Sequence, residues 1–214
     1  MKPDIRTLRV DEAGAAGALL GRAFRDAPGY LAILGHLDEG RRAAAVARIK
    51  TGFAQAAARH LVADGAWVDG ALAGASLVFP PDRWPPSLAV TWHAAAGCLA
   101  AGARAVPNFL RADGHMRRRH VREPHWYLFV LGVEPALQGR GVGGALLRRL
   151  AERADGDGLP CYLETDKEQN VRIYEGAGYD VLTDEAVATR PGFRMWTMRR
   201  PAKGAEIDTP RSGA

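Results

Sequence analysis

The sequence predicts a mixed α/β fold, a central twisted β-sheet of mixed strand direction flanked by helices. Three observations carry this. An apolar, β-forming run at 125–133 stops at Gly132-Val133, and after a short turn a glycine cluster opens a helix-patterned segment at 142–153. A second short apolar run at 161–165 follows, parallel to the first if the helix between them is a crossover. Nearer the N-terminus, two apolar runs flank Asp69-Gly70, a favoured turn pair, and predict an antiparallel hairpin over 66–79.

The remaining elements follow in order. Residues 5–10 read as a strand, and Asp11 as a cap for a helix over 13–25, where Ala16, Leu19, Leu20 and Ala23 recur at helical spacing. Asp26-Ala27-Pro28-Gly29 reads as a break. A second helix fills 39–59, with Ala44, Val46, Ile49, Phe53 and Ala57 for its buried stripe. Residues 80–86 end the hairpin. From there to 123 the pattern is weakest, with helices expected in 88–106 and 108–120. In the helix over 142–153, Val142, Ala145, Leu146 and Leu150 share one face. A polar turn at 155–160, a short helix at 167–176 and a final strand pair, 179–187 and 193–199, complete the chain. The 214 residues suffice for a sizeable core, so we expect one domain over 1–200 and a flexible tail over 201–214, which has few apolar anchors.

The strand, loop and glycine-opened helix form a device for holding a pyrophosphate. Glycines let the backbone approach the ligand, and the bare N–H groups at the helix start favour negative charge. Gly139, Gly141 and Gly144 satisfy the dinucleotide pattern G-x-G-x-x-G, with Glu164 about 20 residues beyond. Gln138, Gly141 and Gly143 equally satisfy the Q/R-x-x-G-x-G/A loop of acyltransferases, and a glycine-rich turn without ligand is the plain alternative. A P-loop is excluded, because no Lys-Ser/Thr pair follows. The dinucleotide reading meets a topological obstacle: about 70 residues follow the motif, too few for the rest of a doubly wound domain.

Downstream, N-V-R-I-Y-E-G-A-G-Y places Asn170 and Tyr174 four residues apart, on one helix face. Together with L-G-V-E-P-A-L-Q-G-R-G-V-G-G, this resembles the GCN5-related N-acetyltransferase (GNAT) superfamily. With H-W-Y-L-F-V before it, L-E-T between and W-T-M-R-R-P near the end, it looks most like the puromycin N-acetyltransferase type. The resemblance covers roughly the last third of the chain and is looser before it. It implies a splayed parallel strand pair that holds coenzyme A, the pantetheine arm running along Leu131, Gly132 and Val133 as a false strand. Gly132 suits the bulge such a strand carries. The pyrophosphate would lie on Gln138, Gly139, Arg140, Gly141, Val142, Gly143 and Gly144. Asn170 would position the pantetheine or a water.

Acetyl transfer to an amine also needs proton chemistry. Tyr174 is the candidate acid, since a phenol returns a proton to the departing thiolate without ionising at rest. Glu164, at the end of the neighbouring strand, is the candidate base or ammonium ligand; His36, His93, Glu123 and His125 are weaker options. Substrate-shaping helices are expected in 80–123. The expected reaction moves an acetyl group from acetyl-CoA directly to a primary amine, of a small molecule such as an amine-bearing antibiotic or metabolite. A protein or peptide N-acetyltransferase and a non-catalytic acyl-CoA-binding module are the alternatives.

Composition adds exclusions. The net charge of +5 and pI near 9.5 rest on arginine in an Arg/Ala/Gly-rich chain, so basicity alone does not argue for nucleic acid, and the run Arg117–Arg118–Arg119–His120 reads as a solvated face. Cys98 and Cys161 are too few for a disulfide framework and read as core residues. Metal-ligand spacing is missing, so no metal is expected. Residues 88–106 are the one membrane suspect, but His93 and Arg104 interrupt them, and no signal peptide opens the chain. A cytoplasmic monomer or homodimer, with no nucleic-acid or membrane partner, is therefore expected.

Overall fold

A computed structural model describes residues 2–86 and 102–204. Among these, the strands are β1 Asp4–Thr7, β2 Val62–Val68, β3 Ala71–Phe79, β4 Trp126–Val133, β5 Cys161–Thr165, β6 Asp180–Val187 and β7 Phe193–Arg200. They form one mixed sheet in the order β1-β2-β3-β4-β5-β7-β6. The β4–β5 pair is parallel and its neighbours are antiparallel. The helices are α1 Ala13–Phe24, α2 Pro28–Leu34, α3 Glu39–His60, α4 Val106–Arg119, α5 Val142–Asp157 and α6 Glu168–Glu175.

The sheet's two faces carry different helices. One core joins α1 and α3 to Ala75, Leu77, Phe79, Tyr127, Val130 and Tyr162. The other joins α5 and α6 to Leu128, Leu163 and Met198. Side chains alternate along a strand, so Tyr162 and Leu163 of β5 point to opposite faces. Glycine sets how closely α1 and α3 approach: a Cβ on Gly17 would lie 2.3 Å from Thr51 Cα, and one on Gly21 2.6 Å from Ala47 Cα.

The hairpin turns as expected, with Asp69 and Gly70 at φ +50° and +76°, the left-handed pair of a type I′ turn. Elsewhere the boundaries differ for identifiable reasons. The first strand stops at Thr7, and Asp11 lies in a 3-10 turn, where Glu12 Oε2 accepts the Arg9 N–H at 2.9 Å. The expected break at Pro28-Gly29 starts α2 instead, because a proline in the first turn has no N–H to leave unpaired. Asp38 caps α3 by accepting the Arg41 N–H at 2.8 Å; Ala44 is exposed, and the buried stripe runs through Val46, Ile49, Phe53 and Ala57. The helix α5 continues through the expected polar turn to Asp157, where Gly158 ends it at φ +66°.

Buried Asn108 of α4 clasps three elements. Its Nδ2 donates to Ala32 O of α2 and to Arg190 O, both at 2.8 Å, and its Oδ1 accepts from Arg190 N at 3.1 Å. Most of the helix expected over 88–106, with His93 and Cys98, lies outside the described residues, as does the tail from 205. No helix among the described residues is long and apolar enough to cross a membrane.

Candidate active site

The parallel pair separates early. β4 and β5 are in register through Trp126↔Cys161, Tyr127↔Tyr162 and Leu128↔Leu163 only. Beyond Leu128, β4 stays on β3 as far as Gly74↔Val133, while Glu164 and Thr165 pair with Thr197 and Trp196 of β7. Alternate residues over 129–133 therefore turn N–H and C=O groups toward a side that β5 has left. An extended amide-bearing chain fits such an edge.

A bulge accompanies the separation, and it corrects an expectation. Leu77 pairs with Val130 and Val78 with Leu128, so Phe129 is the extra residue. Gly132 stays in register with Ala75. It is glycine because α1 presses on it: an added Cβ would lie 2.7 Å from Leu20 Cδ2 and 3.2 Å from both Ala23 Cβ and Phe24 Cε2. Gly132 is buried, and Leu131 and Val133 are half-buried beside it.

The loop after β4 runs through a 3-10 turn, Pro135–Leu137, to the exposed residues Gln138, Gly139 and Arg140. Gln138 Nε2 ties the loop back to Val133 O at 3.3 Å. Gly141 is the N-cap of α5, at φ +82°, where a side chain is strained. The intrahelical ladder begins with Ala145 N–H to Gly141 O at 3.0 Å, so the N–H groups of Val142, Gly143 and Gly144 precede it and face outward. This is an anion cradle of backbone donors at the end of the separated strand.

On α6, Asn170 and Tyr174 do share a face, but in different surroundings. Asn170 is half-buried, and its Nδ2 donates to Thr165 Oγ1 at 3.2 Å, which ties α6 to the end of β5. Tyr174 is buried in the α5-side core, and burial, with the nearby Asp166 charge, pushes its phenol up to about 12. It therefore stays protonated across the physiological range. Cys161 is fully buried, and burial raises its thiol to about 11, which leaves little thiolate for nucleophilic attack.

Glu164 sits on the opposite face of β5 from Leu163, one residue past the last parallel pair. Its side chain is 6% exposed, and Oε1 is buried without a hydrogen-bond partner. Beside it lies His120, expected from the sequence to belong to a solvated arginine run. His120 is buried, with Nδ1 3.6 Å from Glu164 Oε1 and its ring stacked on Trp84 at 4.2 Å. His120 Nε2 lies 3.0 Å from His125 Nε2, and His125 Nδ1 lies 2.6 Å from Glu123 O. Burial holds His125 below the usual histidine range. A recess of about 580 Å3 opens beside the rings, lined in part by Trp84, His120, His125 and Tyr127. Glu123 contributes its carbonyl here, while its carboxylate pairs with Arg199 at 2.7 Å. His36 lies in the link between α2 and α3. The one sequence signal for His120 was its spacing of five from His125, across a proline-containing link.

Comparison with known proteins bears on these features. A model of the acetyltransferase (GNAT) family matches residues 34–179. The N-alpha-acetyltransferase RimI of Mycobacterium tuberculosis is 30% identical over 127 residues, 59% of this chain and 80% of that protein. A mycothiol acetyltransferase of Kineococcus radiotolerans is 36% identical over 138 residues, but the chain covers only 43% of that protein's length. A Corynebacterium glutamicum structure described as histone acetyltransferase HPA2 and related acetyltransferase superposes with a TM-score of 0.64 at 21% identity, covering 94% of this chain and 97% of that one.

Proposed function

The chain belongs to the acetyltransferase (GNAT) family, and from that premise we propose that it transfers an acetyl group from acetyl-CoA directly to the primary amine of a small molecule. The observation that carries the reading is the early end of the β4–β5 pair at Leu128↔Leu163, next to a glycine-capped helix. Backbone groups of Leu131, Gly132 and Val133 would bind the pantetheine. The loop from Gln138 to Gly144, with Arg140 as a flanking cation, would hold the pyrophosphate. Asn170 Oδ1 remains available as an acceptor, its amide nitrogen being engaged by Thr165.

The amine attacks the thioester carbon as the C–S bond breaks. Glu164, on the α1–α3 face, takes the amine's proton. Tyr174, on the α5–α6 face, gives its proton to the leaving sulfur. The acid and base thus flank β5 from opposite faces, and neither competes for the other's proton. No nucleophilic intermediate is needed, and buried Cys161 offers none. Residues 80–123 would shape the acceptor side, to which Trp84 and His120 already contribute.

The acceptor is proposed as a slender primary amine, because Glu164 and Tyr174 are both recessed. The names of the mycothiol acetyltransferases favour a small-molecule acceptor. The second reading is the α-amine of a peptide, favoured by the match to RimI across most of that protein. Thiol release from acetyl-CoA, measured with puromycin, phenethylamine, putrescine and short peptides of free N-terminus, tests both. Turnover with a free amine supports the first reading and turnover with peptides alone the second. CoA binding without turnover of any would leave a binding module.

A further inference from the structure

We propose that Glu164 shares the proton it takes from the amine with His120, and that His125 is the positioning residue that keeps His120 able to receive it. This rests on Glu164 acting as the base in the function above.

The contacts set the ring protons one by one. A carbonyl only accepts, so His125 Nδ1, 2.6 Å from Glu123 O, carries a hydrogen. Burial disfavours charge on His125, so its Nε2 is then a lone pair. His120 Nε2, 3.0 Å away, must donate to it. In a neutral ring that leaves His120 Nδ1 as a lone pair, and it points at Glu164 Oε1. The heavy atoms agree: these two atoms stand 3.6 Å apart, both buried and both without a partner. Two acceptors face each other with a place for one proton between them.

That arrangement is unfavourable until a proton arrives, and the reaction delivers one. The amine's N–H bond breaks as its N–C bond forms, and the proton passes to Glu164. The new O–H donates to His120 Nδ1, either as a neutral acid–imidazole pair or, after transfer, as carboxylate and imidazolium. The His120 Nε2–H stays donated to His125 Nε2 throughout, and when the product leaves the proton returns from His120 Nδ1 to Glu164 Oε1 and from there to solvent. Every step moves a proton between named atoms and needs no co-reactant.

Three aromatic rings surround the His120 imidazole. Trp84 covers one face of His120 at 4.2 Å, and Tyr127 and Tyr162 pack edge-on, each centroid 4.7 Å away. Burial, reinforced by the Glu164 charge, raises both phenols, so they remain protonated. The charged side chains that line the recess are Asp82, Arg117, Arg118, Arg122 and Glu123.

Ring-nitrogen NMR on the ligand-free full chain tests this without an acceptor. His120 should be the Nε2–H tautomer in the wild type. In His125→Leu, which removes the acceptor behind it, His120 should switch to Nδ1–H and donate to Glu164. A wild-type His120 already protonated at Nδ1, or a tautomer indifferent to His125→Leu, overturns the proposal. In acetyl-CoA turnover with the best amine of the panel above, His125→Leu should lower kcat about 10- to 100-fold with KM for acetyl-CoA unchanged. His125→Gln, whose side-chain oxygen still accepts from His120, should recover most of the loss. Equal rates in both variants would reduce His125 to packing. If no amine is turned over by the wild type, the function fails and the NMR result still decides the tautomer.

Discussion

The two ends of β4 show opposite ways of building a site. At its C-terminal end the proposed ligand surface is backbone: the unpaired edge of 129–133 and the N–H groups that open α5. At its N-terminal end the proposed surface is side chain: Trp84, His120, His125, Tyr127, Tyr162 and Glu164, brought together from four separate stretches of sequence. A backbone site depends on local conformation, so a contiguous run of glycines encodes it and it recurs wherever the same phosphate is bound. A side-chain site depends on tertiary packing, and its parts carry no common local mark. The difference suits a cofactor end that many relatives can share and an acceptor end that each can vary.

Three experiments would sharpen or break that contrast. The largest effect is expected from the proposed acid–base pair. Tyr174→Phe and Glu164→Gln should each lower kcat by about 10²–10⁴-fold while leaving the Kd of CoA within about twofold, as measured by calorimetry. Because the Tyr174 phenol is pushed up to about 12, no alkaline loss of kcat from its ionisation should appear up to pH 10. A matching loss of CoA affinity would show that the two ends are not separable.

The second acts on the backbone end. A Cβ on Gly143 would meet only Val133 Cγ2 at 3.5 Å and Leu131 Cδ2 at 3.6 Å, ordinary contacts. Gly143→Ala should therefore keep the wild-type melting temperature and weaken CoA binding about tenfold or more, roughly 1.4 kcal/mol, by standing where the phosphates approach. Unchanged CoA affinity would remove this loop from the cofactor site.

The third probes how dry the α1–α3 side of the sheet is. Lys50 of α3 is 4% exposed, with Nζ 3.6 Å from the Phe24 ring centroid, and burial pushes its amine down to about 7 despite the Asp166 charge. Its folded value lies below the unfolded one, so the destabilisation is complete below pH 7. It is relieved as pH rises toward 10.5, at up to about 1.4 kcal/mol per pH unit. Lys50→Met should be more stable than wild type in urea at pH 6.5, with the gap closing by pH 10. A gap independent of pH would mean that water reaches Nζ.

The same contrast explains what was legible. Residues 161–165 were read as a strand at the bounds observed, and the glycines from 139 to 144 and the pair Asn170 and Tyr174 stood out, because each lies in one contiguous stretch. Gly132 was correctly singled out as special, but as the bulge. A helix pressing from far along the chain leaves the same glycine as a local irregularity. The helix α2 was missed because Pro28-Gly29 is equally a stop and a start. His120 was hidden in an arginine run; only folding sets it behind Trp84 and turns Arg117 and Arg118 to the rim of the recess.

The Asn108 clasp has a mechanical consequence. One amide group joins α4 to Ala32 of α2 and to Arg190 between β6 and β7, and α2 is latched in turn to the end of β5, where the Gly29 N–H donates to Asp166 Oδ2 at 2.8 Å. These pieces are distant in sequence and meet at a single amide group. Breaking the clasp leaves buried polar groups unpaired on all three at once. One side chain therefore couples α2, α4 and the β6–β7 link. Asn108→Ala is accordingly expected to unpair backbone groups of α2 and of the β6–β7 link together, not of one alone.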